Sequence, residues 1–86
     1  MTARPIADIT VTSAATQIVP DDSTRRGLSV TNHSTTVAVR WGDASVTATK
    51  GQQIPPGATA SIAARGPIYM ISEGANVTVS CTEELK

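Results

Sequence analysis

The chain has 86 residues, room for one small domain, and its seven basic and seven acidic side chains cancel to zero formal charge. A domain of this length buries only about 60–65% of the surface of its unfolded chain, so its core is thin. Zero net charge argues against nucleic-acid binding, which depends on a surplus of Lys and Arg. No apolar run approaches the roughly 20 residues of a membrane-spanning helix. The start has no apolar signal segment, so we expect folding in the cytoplasm.

Apolar and polar residues alternate along most of the chain, a pattern typical of strands with one buried face. The alternation predicts strands at residues 9–12, 28–31, 36–41, 59–62 and 77–82, and a short strand around Val46. Residues 68–71 are continuously apolar, which predicts a strand covered on both sides. No segment carries apolar residues at helical spacing, so no helix is predicted.

Turn-forming residues separate these runs at regular intervals. They include Pro20-Asp21-Asp22, Asn32-His33-Ser34, Gly42-Asp43, Lys50-Gly51, Pro55-Pro56-Gly57, Gly66-Pro67 and Gly74-Ala75-Asn76. The segment at 32–34 is predicted to be a short hairpin turn. About eight short strands at this spacing predict an all-β fold, a small antiparallel β-sandwich that is jelly-roll-like. One domain spans residues 1–86, with a flexible N-terminal arm at 1–7 and a flexible tail at 83–86, and both ends could instead order against a neighbouring subunit.

The chain offers few candidates for catalysis. A nucleophile needs a neighbouring base, usually His, and the single His, His33, lies in a predicted exposed turn. Two carboxylate pairs, Asp21-Asp22 and Glu83-Glu84, are expected to be solvated in a loop and in the tail. Cys81 is in phase with the inward positions of the last strand, so we expect it to be buried as a small apolar side chain. No catalytic residue is therefore predicted.

Metal, disulfide and ligand sites are also scarce in the sequence. One cysteine excludes an intrachain disulfide. Because Asp21, Asp22 and Asp43 lack the spacing of a Ca²⁺ loop, no metal site and no cofactor are predicted. Trp41 has two interpretations: it completes the core face of its strand, or it lies at the strand end and stacks on a sugar or anchors an interface. The core, or its edge, is the favoured position.

Several features favour assembly with other subunits. The chain has no Phe, one Trp and one Tyr, and small domains with thin cores use staples or oligomerisation. Because no disulfide or metal staple is predicted, oligomerisation remains. Only 16% of the residues are charged, and the outward strand positions are mainly Ser and Thr, which suits a surface that is buried against partners.

Six segments of the chain resemble a class of short bacteriophage proteins. They are ITVT at residues 9–12, RRGLSVTN at 25–32, VAVRWG at 37–42, GQQIPPGA at 51–58, IYMI at 68–71 and VTV at 77–79. In that class a strand with the pattern R-x-x-L-x-V-x-N precedes a hairpin, and a P-x-G turn introduces the next strand. A strand similar to I/L-Y-A-I then precedes the last one. The likeness covers residues 9–82.

The resemblance implies a structural virion protein of a tailed bacteriophage, first of all a capsid decoration (cement) protein that binds and stabilises the assembled head. The implied partners are the major capsid protein or other virion proteins, and the implied state is a homo-oligomer, with a trimer favoured. The implied location is the capsid surface, after synthesis in the host cytoplasm. The alternatives are a neck, tail or fibre module, or a carbohydrate-binding β-sandwich in which Trp41 or Tyr69 stacks on a sugar.

Three regions are candidate partner contacts, because partners reach the arms and loops at the ends of a sandwich. They are the N-terminal arm (Thr2, Ala3, Arg4, Pro5, Ile6), the loop after Pro20 (Asp21, Asp22, Arg25, Arg26) and the turn formed by Pro55, Pro56 and Gly57. Deleting residues 1–7 is expected to weaken capsid occupancy without unfolding the domain.

Overall fold

The computed structural model describes residues 2–85, with side chains from residue 3 onward. All regular structure in this part of the chain is β-strand. The strands are β1 (Thr2–Val11), β2 (Thr16–Val19), β3 (Arg25–Asn32), β4 (Val39–Gly42), β5 (Gln52–Ile54), β6 (Thr59–Ile62), β7 (Ile68–Ser72) and β8 (Val77–Leu85). They form two antiparallel sheets of four strands, which confirms the predicted all-β sandwich.

The strand order is that of one long antiparallel hairpin, with β4 and β5 at its closed end, folded into two sheets. The first sheet has the order β1-β8-β3-β6 and the second has the order β2-β7-β4-β5. The first strand therefore pairs with the last, β2 with β7, β3 with β6 and β4 with β5. This is the eight-stranded jelly-roll arrangement. Only β4 and β5 are consecutive strands of one sheet, so residues 32–34 do not form the predicted hairpin turn; they start a crossover between the sheets.

The core lies between the two sheets and is built mainly from Val and Ile. Aromatic side chains are absent from its centre, where the side chain of Met70 is fully buried. Trp41 is half-buried and packs against the edge of this cluster, which confirms its favoured position. The exposed surface is 4608 Å², close to the roughly 4,800 Å² expected of a compact monomer of this mass. The chain thus closes its own thin core.

Both ends of the described chain lie in strands. β1 starts at Thr2 and β8 continues to Leu85, and the two strands pair over this stretch, with Ala3 opposite Glu84. Paired strand therefore takes the place of the flexible ends predicted at 1–7 and 83–86, because the two segments pair along their backbones and Arg4 binds Glu83 across the pair. Met1 and Lys86 lie outside the described residues.

The structure differs from the sequence-based prediction at three places: two short strands were not predicted, and one predicted strand is absent. The four-residue β2 and the three-residue β5 were not predicted, because neither is long enough to show a clear alternation. Val46 lies in a turn segment and not in a strand. It is nevertheless buried, because its side chain packs over two glycines, Gly42 and Gly51.

Gly51 occupies a position that no other residue fits. Its φ angle is +133°, and a Cβ added there would lie 2.6 Å from Cγ2 of Val46 and 2.9 Å from the carbonyl oxygen of Trp41. Side chains rarely adopt this backbone region, and the main chain of β4 cannot move away without breaking its sheet. The glycine lets the β4–β5 connection fold back over Val46.

We expect Gly51→Ala to lower the free energy of unfolding by about 2–3 kcal/mol, through steric overlap and backbone strain. Gly66→Ala is the matched control, because no atom lies within 4 Å of its added Cβ, and its effect should stay below about 0.5 kcal/mol. Urea unfolding followed by the fluorescence of Trp41 measures both. Equal unfolding midpoints would contradict the account of Gly51.

Candidate functional site

The loops collect at two ends of the sandwich. Loops 12–15, 33–38, 55–58 and 73–76 meet at one end, called here the uncharged end, where backbone hydrogen bonds join them. The amide of Ser72 donates to Thr12 over 2.8 Å, that of Glu73 donates to Ala38 over 3.0 Å, and that of Gly57 donates to Asn32 over 3.0 Å. Loops 20–24, 43–51 and 63–67 meet at the opposite end, called here the charged end, beside the start of β1 and the end of β8.

A fully buried arginine organises the charged end. Arg25 has no exposed surface, and its guanidinium donates hydrogen bonds to the carbonyl oxygens of Pro20, Ala64 and Gly66. It also donates from Nη1 to Oε2 of Glu83 over 3.2 Å. A buried charge is tolerated only when it is paired and hydrogen-bonded, and Arg25 meets both conditions.

Glu83 links this arginine to strand β1. The carboxylate is almost buried, and its second oxygen, Oε1, accepts hydrogen bonds from Nε and Nη2 of Arg4 at 3.1 and 2.6 Å. These bonds raise the pKa of Arg4. Arg4 also lies 3.5 Å from Asp22, whose pKa is lowered mainly by a hydrogen bond from the Thr24 hydroxyl. Two buried and two more exposed charged groups thus neutralise each other at one end of the sandwich.

The structure brings together two of the three candidate contact regions, the N-terminal arm and the loop after Pro20. Their charged side chains bind each other through Glu83 within the chain. Arg25 is buried, so its assignment as a partner contact is wrong, and the prediction that Glu83 is solvated is wrong as well. Ile6 packs half-buried against the core. Of these two regions, Ala3, Pro5, Asp21 and Arg26 remain exposed, Asp22 is partly covered, and the side chain of Thr2 lies outside the described residues.

A buried amide organises the uncharged end. Asn32 is fully buried, and its Nδ2 donates to the carbonyl oxygens of Val37 at 3.0 Å and Ile54 at 3.2 Å. Its Oδ1 accepts the amide of Ser34 at 2.9 Å. The side chain therefore fixes the crossover loop against the end of β5. Its sequence signal is an Asn at an inward position, two residues after Val30, where the alternation calls for an apolar side chain.

The third candidate region, Pro55, Pro56 and Gly57, lies exposed at this end. Glu73 is the one Asp, Glu, Lys or Arg in the four loops of the uncharged end, which also contain His33. Its carboxylate accepts hydrogen bonds from Gln53 and Arg40, both at 2.8 Å, and these bonds lower its pKa, that of Gln53 being the larger cause. The rest of the surface there is formed by small side chains, chiefly Ser, Thr, Ala, Pro and Gly.

The outer surface of the first sheet is covered by hydroxyl groups and is called here the hydroxyl face. It consists of Thr10, Ser29, Thr31, Thr59, Ser61, Thr78, Ser80 and Thr82, which alternate with core residues in the paired strands. Thr31 and Thr59 are hydrogen-bonded at 2.9 Å. His33 lies beside this face, with Nε2 2.8 Å from the Ser80 hydroxyl. The strands thus present a polar surface without charge.

The reactive side chains do not form a catalytic or metal site among the described residues. Cys81 is buried, as predicted, and burial, with smaller contributions from Asp8 and Glu83, raises the pKa of its thiol to about 11. Asp43 is held in its own turn by Ser45, whose hydroxyl and backbone amide donate to that carboxyl and lower its pKa, the hydroxyl being the larger cause. Between residues 2 and 85, no three His, Cys, Asp or Glu side chains are grouped closely enough to hold a metal ion. The same residues contain no helix able to cross a membrane.

Comparison of the chain with protein-family models, curated proteins and solved structures gave no match.

Replacing Glu83 by Gln should lower the free energy of unfolding by about 3 kcal/mol, because the buried guanidinium of Arg25 loses its counter-charge. Glu84→Gln is the control, since the neighbouring carboxylate is exposed and makes no described ion pair. Urea unfolding at low protein concentration compares the two variants. If they unfold at the same midpoint, the buried pair does not hold the charged end.

The raised pKa of Cys81 predicts an unreactive thiol. At a pH of about 8, native protein should react with a thiol reagent about 100-fold more slowly than urea-unfolded chain, because less thiolate is present and the sulfur is covered. Stability should be unaffected by this group below pH 9 and fall as the pH rises towards 11, since the unfolded chain loses the proton first. Equal labelling rates in native and unfolded protein would contradict both the burial and the pKa.

Proposed function

We propose that this chain is a structural protein of a bacteriophage virion that decorates the assembled capsid, with the uncharged end as its docking surface. The observation that carries the proposal is the contrast between the two ends. At one end four charged side chains pair within the chain beside further exposed charges, and at the other end hydrogen-bonded loops present almost no charge. The resemblance of residues 9–82 to short phage proteins supports the biological setting.

The physical basis of docking is the low desolvation cost of the uncharged end. Burying a charge that finds no partner costs several kcal/mol, whereas Ser, Thr, Ala, Pro and Gly surfaces lose little when water leaves. The four loops contain about eighteen residues, close to the 20–30 residues that each side of a typical interface supplies. Because Asn32 already fixes the crossover loop, little further ordering entropy is lost on binding.

Docking to a lattice would stabilise the capsid by mass action. A protein that binds only assembled subunits shifts the equilibrium towards assembly, by an amount that grows with its concentration relative to its dissociation constant. The proposed partners are the major capsid protein or other virion proteins, and the proposed location is the capsid surface. No step in this mechanism needs a cofactor or a catalytic group.

The arm deletion expected from the sequence does not isolate a contact. Removing residues 1–7 would also remove Arg4 from Glu83 and leave half of β8 without its neighbour. Loss of occupancy in that variant would report unfolding as readily as loss of binding. A side-chain substitution at an exposed loop position is therefore the better test.

Thr36→Arg places a charge in the uncharged end, at an exposed side chain, and should weaken binding to purified capsids at least about 10-fold. Ser23→Arg adds the same charge at an exposed position of the charged end and should bind like wild type. Co-sedimentation with capsids, paired with thermal unfolding of both variants, provides the measurement.

Equal binding of the two arginine variants would place the contact elsewhere on the molecule. Failure of the wild-type chain to bind capsids would reject the decoration function. Cryo-electron microscopy of virions then distinguishes regular copies over the head from a neck, tail or fibre location.

A further inference from the structure

A shallow depression lies on the first sheet where the hydroxyl face meets the charged end. Its volume is about 220 Å³, and its lining includes Arg26, Gly27, Ser29, Ser61, Ala63 and Glu84. Gly27 forms the floor, because its outward position carries no side chain. A Cβ there would lie 3.7 Å from the Ile62 carbonyl oxygen and 3.9 Å from Glu84, which is ordinary contact. A larger side chain could therefore fill the depression without straining the strand.

The size of the depression decides what it can hold. Small-molecule sites have volumes of about 300–1,000 Å³ and enclose most of the ligand. This depression is smaller and open to solvent, so it fits one side chain of a protein partner better than a cofactor or a sugar. The half-buried aromatic residues, Trp41 and Tyr69, belong to the second sheet and cannot stack on a sugar here.

Two charged side chains of opposite sign flank the depression and are not engaged within the described chain. Arg26 and Glu84 are both exposed. The ion pairs among residues 3–85 use Arg4, Arg25 and Arg40 as cations, and Asp22, Glu73 and Glu83 as anions. Arg26 and Glu84 are therefore available to a partner that presents one positive and one negative group in the same small area.

We propose that this partner is a second copy of the chain, bound through a two-fold axis beside Gly27. Arg26 of each copy lays its aliphatic stem over Gly27 of the other copy and pairs with the other Glu84. The hydroxyls of Ser29 and Ser61 accept its remaining donors. The patch is complementary to itself, as a two-fold contact requires. The loops of the uncharged end take no part, so the inference stands independently of capsid binding.

The position of the charges also selects the symmetry. A three-fold ring is built from head-to-tail contacts, which need two different patches on separate parts of the surface. Here the cation and the anion lie in one patch, so the contact that pairs both is two-fold. The structure therefore points to a dimer, whereas the resemblance to phage proteins implies a trimer.

The area of the hydroxyl face places the contact among small, transient interfaces. Four strands at their usual spacing, over about five residues, cover roughly 300 Å² in projection. This is below the roughly 800 Å² per partner of stable complexes. We therefore expect a reversible dimer with a dissociation constant in the micromolar range. In the dimer the hydroxyl faces of the two copies also touch. This enlarges the contact without removing further charges from water.

Analytical ultracentrifugation of the full chain from about 1 to about 500 µM tests the inference. Wild-type protein should change from the 8.9 kDa chain mass to twice that mass as its concentration rises. Arg26→Glu and Glu84→Arg should each raise the dissociation constant at least about 10-fold, because like charges then face each other. Combining the two reversals should restore dimerisation, since both pairs re-form with exchanged signs.

Gly27→Leu, which fills the depression, should also prevent dimerisation, whereas Gly66→Ala should leave it unchanged. Circular dichroism of each variant verifies that the fold is retained. A wild-type chain that stays monomeric, or that reaches three times the chain mass, overturns the proposal. An unchanged dissociation constant in Arg26→Glu or in folded Gly27→Leu overturns it as well, because the contact then lies on another surface.

Discussion

The buried pair of Arg25 and Glu83 is the interaction on which the arrangement of the strands depends. It joins the start of β3 to the end of β8 and, through Arg4, to the start of β1. Such a pair adds little net stability, because both charges are desolvated. Its effect is on register: a shift of one residue would turn a strand over and leave these charges without partners. The pair therefore specifies one alignment of three strands whose Ser/Thr and Val/Ile alternation is otherwise repetitive.

The ion pairs at the charged end leave the uncharged end and the hydroxyl face with few charged side chains. The charges of four side chains at the charged end are paired within the chain, namely those of Arg4, Asp22, Arg25 and Glu83. These pairs hold the ends of the strands together. The uncharged end and the hydroxyl face are left as polar but uncharged surfaces on a rigid frame. The two proposals use different surfaces: the dimer contact uses Arg26 and Glu84 beside Gly27, and capsid docking uses the uncharged end. A dimer formed at the Gly27 depression would therefore still present the loops around Asn32 to a larger partner.

The sequence predicted the fold class because strand alternation is a local property that burial preserves. The same rule placed Cys81 inside and Trp41 at the core edge. It could not predict the roles of Arg25 and Glu83, since charged residues are expected at the surface and their pairing joins positions 58 residues apart. Asn32 was predicted only as a turn former, because the three groups that its amide contacts are brought together by the crossover between sheets. The turn at residues 55–57 follows from its Pro and Gly residues, which is also a local signal, and its role as a partner contact stays a prediction.

The rolled hairpin has a consequence for how the chain reaches its folded state. β8 is the last strand in sequence, yet it lies inside the first sheet, between β1 and β3. Until residues 77–85 have left the ribosome, β1 lacks its neighbour and the sandwich cannot close. Because nearly every strand pair in this topology joins distant parts of the chain, loop-closure entropy slows folding to the millisecond-to-second range typical of β-sandwiches. The nascent chain therefore exposes the edges of incomplete sheets, where unpaired backbone groups can pair with another chain.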